Sequence, residues 1–253
     1  MLWYTAWRDT RWRFLIGLGI LSGIALANTL AYPHWQGLLG GALVAGPGDQ
    51  PAREINSIAQ VSSSFRGYVW VQLVRVNLSY LWVVFAVLLG ATGSFSQRSG
   101  AIFTLSLPVS RRRVCAVRAA TELAELCVLG LAPMLLVPLA APVVGYSYPL
   151  ADALVYGIQI LSGGAIFYCL SLWLATIFDD RWRPIMITLA VAVIGNLCTN
   201  LIAALAPFSP ATVMEGESYF RTGVPAWAGI CVWLVVSAAV LYAAVRSTEV
   251  RDF

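Results

Sequence analysis

The sequence predicts an all-α, polytopic integral membrane protein with six transmembrane helices in one domain, residues 1–253. Three observations lead there. Hydrophobic residues make up 59% of the chain and charged residues 11%, against about a quarter charged in soluble domains, so too little polar surface exists to coat a water-soluble globule. Apolar runs long enough to cross a bilayer recur from one end of the chain to the other, leaving no stretch for a separate soluble domain. Arginine is distributed unevenly among the connections between those runs.

A helix needs about 20 residues to cross roughly 30 Å of hydrocarbon, because an unpaired backbone amide in lipid is costly. The first such run extends from Phe14 to about Ala31, and the second from about Val76 to Phe95. The third, Val114 to Val144, carries Glu122 and Glu125. Leu150 to Phe178, Pro184 to Leu205 and Pro225 to Val245 complete the six, each bounded by charges, prolines or turn residues. Gln36 to Val44 is apolar but short and interrupted by Gly37, Gly40 and Gly41, and reads as a loop or interfacial segment. Gly46-Pro47-Gly48-Asp49 marks a turn, and Ala52 to Val74 reads as a surface helix whose second half extends the second span.

Placing the N-terminus inside puts Arg8, Arg11, Arg13, Arg98, Arg111, Arg112, Arg113, Arg118, Arg181, Arg183, Arg246 and Arg251 on the cytoplasmic side. Only Arg53, Arg66, Arg75 and Arg221 are left outside, three of them in the long first connection, where the rule is weaker. Six spans then return both termini to the cytoplasm.

The most informative connection lies between the second and third runs: Ser96-Gln97-Arg98-Ser99-Gly100-Ala101-Ile102-Phe103-Thr104-Leu105-Ser106-Leu107-Pro108-Val109-Ser110-Arg111-Arg112-Arg113. Gly100 to Leu107 can form about two helical turns presenting Ile102, Phe103, Leu105 and Leu107, and Pro108 ends them. Ser110 can cap the next helix, and Arg111, Arg112 and Arg113 form a basic cluster at the headgroup level. An ordinary topology-setting loop would account for the charges alone. The order of features, over Gln97 to Arg118, resembles the permease subunits of ABC type-2 exporters. A weaker echo, Pro207-Phe208-Ser209-Pro210, resembles the outer loop of that family. Gln97 stands where many members carry an acidic residue.

The resemblance implies a cytoplasmic coupling helix between helices 2 and 3 that docks on an ATPase, with Arg98, Gly100, Ile102, Phe103, Leu105 and Leu107 as the coupling surface. It further implies two ATPase subunits that bring ATP and Mg, a second permease subunit, identical or related, and a prokaryotic cytoplasmic (inner) membrane. Export of a lipid-like, peptide or drug-like substrate follows from the same likeness. The mixed turn Asp179-Asp180-Arg181-Trp182-Arg183 is read as plain solvated structure, with a second ATPase contact as the alternative.

Charges inside a span call for partners. Glu122 and Glu125 share one helix face, and Arg118 stands four residues before Glu122, where a helical ion pair can form. At two to three turns into the third helix they are placed at the inner headgroup level. A structural role is preferred over a proton, substrate or partner role. Asn196 and Asn200, one turn apart in the fifth run, are read as amides bonding to another helix. Gly19, Gly23, Ala27 and Ala31 recur every four residues and make a smooth ridge, which the resemblance assigns to the interface between two permeases. Trp3, Trp7, Trp12, Trp35, Trp70, Trp182 and Trp227 fall near span ends and read as interfacial anchors alongside membrane lipids.

Other chemistries are poorly supported. A phosphate-binding Gly-x-x-x-x-Gly-Lys-Ser/Thr loop needs a lysine, and the chain has none, so no cofactor is expected in it and ATP chemistry must come from another polypeptide. One histidine, His34, cannot build an imidazole cluster, and the five cysteines lack metal or redox spacing. The arginines form no patch with interleaved aromatics for nucleic acid. Two alternatives stay open: an intramembrane enzyme using Glu122 and Glu125, and a non-transporting scaffold or immunity-type protein.

Overall fold

The computed structural model of the chain describes residues 2–42, 60–91, 111–178, 180, 182–201 and 208–250. Among these every regular element is helical, and six helices are long and apolar enough to cross a membrane: Trp3–Gly37, Phe65–Ala91, Arg113–Val144, Leu150–Ile177, Trp182–Thr199 and Trp227–Ser247. The full helices are α1 (Leu2–Ala42), α2 (Phe65–Ala91), α3 (Arg111–Ala140, with a tighter turn Ala141–Val144), α4 (Leu150–Ile177), α5 (Trp182–Leu201), two short helices α6 (Pro210–Glu215) and α7 (Glu217–Thr222), and α8 (Trp227–Val250). Each predicted run coincides with a helix, with ends displaced by several residues.

The largest displacement is in α1, which continues through Pro33 to Ala42, into the segment expected to be a loop or interfacial segment. Tertiary bonds hold that extension. The Tyr32 hydroxyl donates to Ser63 O at 2.8 Å, Gln36 Nε2 donates to the Tyr32 oxygen at 3.0 Å, and the Tyr146 hydroxyl donates to Gln36 Oε1 at 2.9 Å. Ser63 and Tyr146 lie far from α1 in sequence, so local glycine content was a poor guide to how far the helix continues.

Helix α4 is the centre of the bundle. Helices α2, α3, α6 and α8 pack on it, and α1 packs mainly on α3. Small residues make the approach possible: a Cβ on Gly164 would run into the Trp82 ring of α2, one on Gly163 would meet Pro210 O of α6 at 2.8 Å, and one on Gly157 would meet Leu131 Cδ2 of α3 at 2.7 Å. Helix α5 is the most peripheral; Val193, Ile194 and Leu197 on it are exposed in the single chain.

Helices α2, α4 and α8 run one way and α1, α3 and α5 the other. Thr10 meets Glu125, Ser171 meets Val87 O, and Thr176 meets Ser247 at one end of the bundle or near it. Tyr32 meets Ser63, Arg66 meets Asp152, and Thr199 meets Ser209 towards the other. The first end gathers Arg8, Arg11, Arg13, Arg113, Arg118, Arg183 and Arg246, while Arg66, Arg75 and Arg221 fall in the opposite half. Exposed Trp3, Trp7, Trp12 and Trp182 ring the arginine-rich end, and Trp35 and Trp227 the other, as expected of side chains at a membrane–water interface. Trp70 departs from that expectation: it is buried, stacked on Phe220 at 4.3 Å between centroids, and its Nε1 donates to Glu215 O at 2.8 Å.

Val69–Leu78 is wound as a π-helix, with the Ser79 N–H and Oγ both donating to Val74 O, the hydroxyl at 2.8 Å. Such wide turns are rare and collect at functional sites.

Candidate functional site

Two groups of polar side chains lie within the apolar bundle, one towards each end. At the arginine-rich end, α3 supplies Arg118, Glu122 and Glu125. The spacing of four brings Arg118 Nε to 3.1 Å from Glu122 Oε1, as the sequence spacing predicts. Glu122 is wholly buried, and its other oxygen accepts the Tyr168 hydroxyl hydrogen from α4 at 2.8 Å. Arg13 of α1 adds positive charge facing Glu122. Glu125 accepts from Thr10 Oγ1 of α1 at 2.5 Å, and its Oε2 has no hydrogen bond among the described residues. The two carboxylates bond to α1 and α4 and so join three helices.

Towards the opposite end, Asp152 sits in the first turn of α4, where the helix end-dipole favours a carboxylate. Arg66 Nε of α2 lies 2.7 Å from Asp152 Oδ2, and the Tyr219 hydroxyl of α7 donates to Oδ1 at 2.8 Å. Deeper along α4, the Tyr156 hydroxyl and both polar atoms of Gln159 are buried without a hydrogen bond among the described residues. Beside them, Arg75 Nε of α2 stands 3.3 Å from Glu215 Oε2 at the end of α6. Burial holds the Glu215 carboxyl above its ordinary value, opposed by Arg75 and assisted by Glu217.

Glu215 opens onto a cavity of about 340 Å³ walled by Ser79, Val83, Val84, Phe167, Leu189 and Asn196, among others. A second cavity of about 350 Å³ lies on the other flank of α5 and shares Phe167, Ala192, Asn196 and Ala211 with the first. Both are almost entirely apolar, and their size is at the lower end of small-molecule pockets. The Asn196 amide makes no side-chain hydrogen bond among the described residues, contrary to its expected role as a bond to another helix. Thr199 takes that role instead, with Oγ1 3.3 Å from Ser209 Oγ.

The remaining sequence candidates divide clearly. Arg98, Gly100, Ile102, Phe103, Leu105 and Leu107 lie outside the described residues, as do the side chains of Arg111, Arg112 and Asn200; Arg113 is exposed. Gly19, Gly23 and Ala27 are exposed along one face of α1, and a Cβ on either glycine would meet nothing within 4 Å. Asp180 accepts the Trp182 N–H at 3.1 Å and so caps α5, with Arg183 Nε 3.8 Å from its Oδ2. Among the described residues no three His, Cys, Asp or Glu side chains are grouped to hold a metal ion.

Asp152, Arg66, Glu215, Tyr168 and Thr10 were not singled out from sequence. A signal for Arg66 and Asp152 did exist: opposite charges within the first three residues of α2 and α4, two spans that run the same way. Comparison with known proteins adds no assignment, since no family model, no curated protein and no solved structure matches the chain.

Proposed function

We propose that this multi-pass membrane protein is the permease subunit of an ATP-driven transporter of the ABC type-2 export kind, with its arginine-rich end in the cytoplasm. The observation that carries the reading is the segment Gln97 to Arg118: a short charged, glycine-containing stretch, Leu-Ser-Leu-Pro-Val-Ser, and three arginines, leading directly into α3 at Arg111. Its connection to the bundle suits a coupling role. Within about four turns of Arg111, α3 is bonded to α4 through Glu122 and Tyr168 and to α1 through Glu125 and Thr10. A push on residues 97–110 would reach the central helix through those bonds, because packed helices shift as units between discrete arrangements.

In this reading two separate ATPase subunits bind ATP and Mg, and this chain supplies no nucleotide chemistry, having no lysine for a phosphate-binding loop. A second permease subunit packs on the exposed Gly19, Gly23 and Ala27 face of α1, where small residues let helix backbones approach. The substrate is lipid-like, peptide or drug-like, the membrane a prokaryotic inner membrane. The test is copurification: the tagged chain, extracted from its native membrane, should carry an ATPase subunit with it, and removal of residues 99–107 should abolish that association while the chain still folds. Normal ATPase binding by a folded deletion variant would overturn the proposal.

A further inference from the structure

The cavity beside Glu215 has a chemically one-sided lining. Its polar residues are Glu215, Asn196, Ser79 and Tyr80, and none of its wall residues is cationic. Ser79 already donates its hydrogen to Val74 O, so its oxygen is left as an acceptor. Glu215 accepts no side-chain hydrogen bond among the described residues; its one ionic partner, Arg75, reaches Oε2 at 3.3 Å from outside the cavity wall, its side chain half-exposed and close to the Trp70 ring. The neighbouring Glu217 is already matched by Arg221 at 2.6 Å. One carboxylate, with the Asn196 amide oxygen and the Ser79 hydroxyl oxygen also able to accept, thus edges an otherwise largely apolar space with no cation in its wall. The π-helical stretch of α2 ends at Leu78, directly before Ser79 and Tyr80 enter that wall.

We propose that this cavity binds a primary alkylammonium ion, the hydrocarbon arm against Val83, Val84, Phe167 and Leu189 and the ammonium group at Glu215, Asn196 and Ser79. An ammonium carries three N–H donors and no acceptor, which matches the acceptors offered. A charge-assisted bond to Glu215 in an apolar setting is of the strong kind. An anion would meet Glu215 with like charge, an alcohol would forgo the ionic term, and a quaternary ammonium would keep the charge without N–H donors. The assignment concerns binding by the chain alone and does not depend on the transport reading.

The experiment uses the full chain in nanodiscs of zwitterionic phospholipid at about pH 7, with tritiated dodecylamine as the probe and empty nanodiscs as the partition blank. One saturable site per chain is expected above the blank, displaced by unlabelled dodecylamine. Dodecyltrimethylammonium should displace about tenfold less well or worse, the loss of a charge-assisted hydrogen bond, and dodecanol and dodecyl sulfate should not displace at matched concentration. Glu215→Gln should weaken binding about tenfold or more, Arg75→Gln should strengthen it by freeing the carboxylate, and Ala192→Phe should block it by filling the space while leaving Glu215 in place. No saturable signal, displacement by dodecyl sulfate equal to that by dodecylamine, or wild-type affinity in a folded Glu215→Gln chain would each overturn the assignment. Should Glu215→Gln fail to fold, the competitor series and Ala192→Phe decide the matter. Because no ATP or partner enters the assay, its failure leaves the copurification test untouched.

Discussion

Tyr168 of α4 and Glu122 of α3 are both wholly buried and joined by a 2.8 Å hydrogen bond from the phenol to the carboxylate. Arg118 holds the other carboxylate oxygen, so a charge that would be costly in the bundle has both oxygens engaged. Tyr168→Phe removes one bond to a buried charged group and should destabilise the protein by about 1.5–3 kcal/mol. Unfolding in detergent, followed by heat or denaturant, measures this.

Arg118→Met should cost more, about 3–5 kcal/mol, because Glu122 loses its nearest countercharge. Adding Glu122→Leu to that variant should recover most of the loss, since replacing both members of a buried pair by apolar side chains is often close to neutral. If the double variant is as unstable as Arg118→Met alone, the pair does more than balance charge in the helix.

Thr10→Val should loosen α1 from α3. The hydroxyl is the only hydrogen-bond partner of the Glu125 side chain among the described residues, and leaving a buried acceptor unpaired costs about 1–3 kcal/mol. Hydrogen exchange in the first turns of α1 should rise before the rest of the bundle responds.

Glycines should sort by what surrounds them. Gly164→Ala drives a methyl group into Trp82, and Gly90→Ala would approach Tyr168 O to 2.6 Å; overpacking of this kind costs about 1–3 kcal/mol. Gly23→Leu meets open space and should leave the monomer's stability within about 0.5 kcal/mol of wild type or raise it. Its expected effect is on self-association, read as a change in mass on size-exclusion chromatography with light scattering.

Glu215 gives a pH signature. Its folded carboxyl is held above the ordinary value, by burial first, so the folded state retains a proton that the unfolded chain has released. Stability from this group is therefore fully present below the unfolded carboxylate value and falls as pH rises through the raised one. Glu215→Gln should flatten that part of the stability curve, and an unchanged curve would show that another group sets it.

Sequence patterns were sufficient where the cause is local. Apolar run length located all six spans, helical spacing paired Arg118 with Glu122, and a repeat of four placed Gly19, Gly23 and Ala27 on one exposed face. What sequence missed depends on long-range partners. Tyr168 stands 46 residues from Glu122, and Thr10 stands 115 from Glu125, and no periodicity links them. Pro33 and its flanking glycines looked like a helix end because local propensity favours one, whereas Tyr32, Gln36 and Tyr146 hold the helix together across the bundle. Trp70 looked interfacial for the same reason, until Phe220 and Glu215 gave its ring and its N–H partners within the fold. Asn196 had the composition of an interhelical bond but faces a cavity that only the packing of α5 beside α4 creates.

The proposed function requires the arginine-rich end to face the cytoplasm. In a chain with its five cysteines replaced, single cysteines at Arg113 and Val224, both exposed and at opposite ends, can be labelled with a membrane-impermeant maleimide. Arg113→Cys should react only after the membrane is opened, while Val224→Cys should react in intact cells. Labelling of Arg113→Cys in intact cells, with Val224→Cys protected, would contradict it and remove the cytoplasmic ATPase from the mechanism.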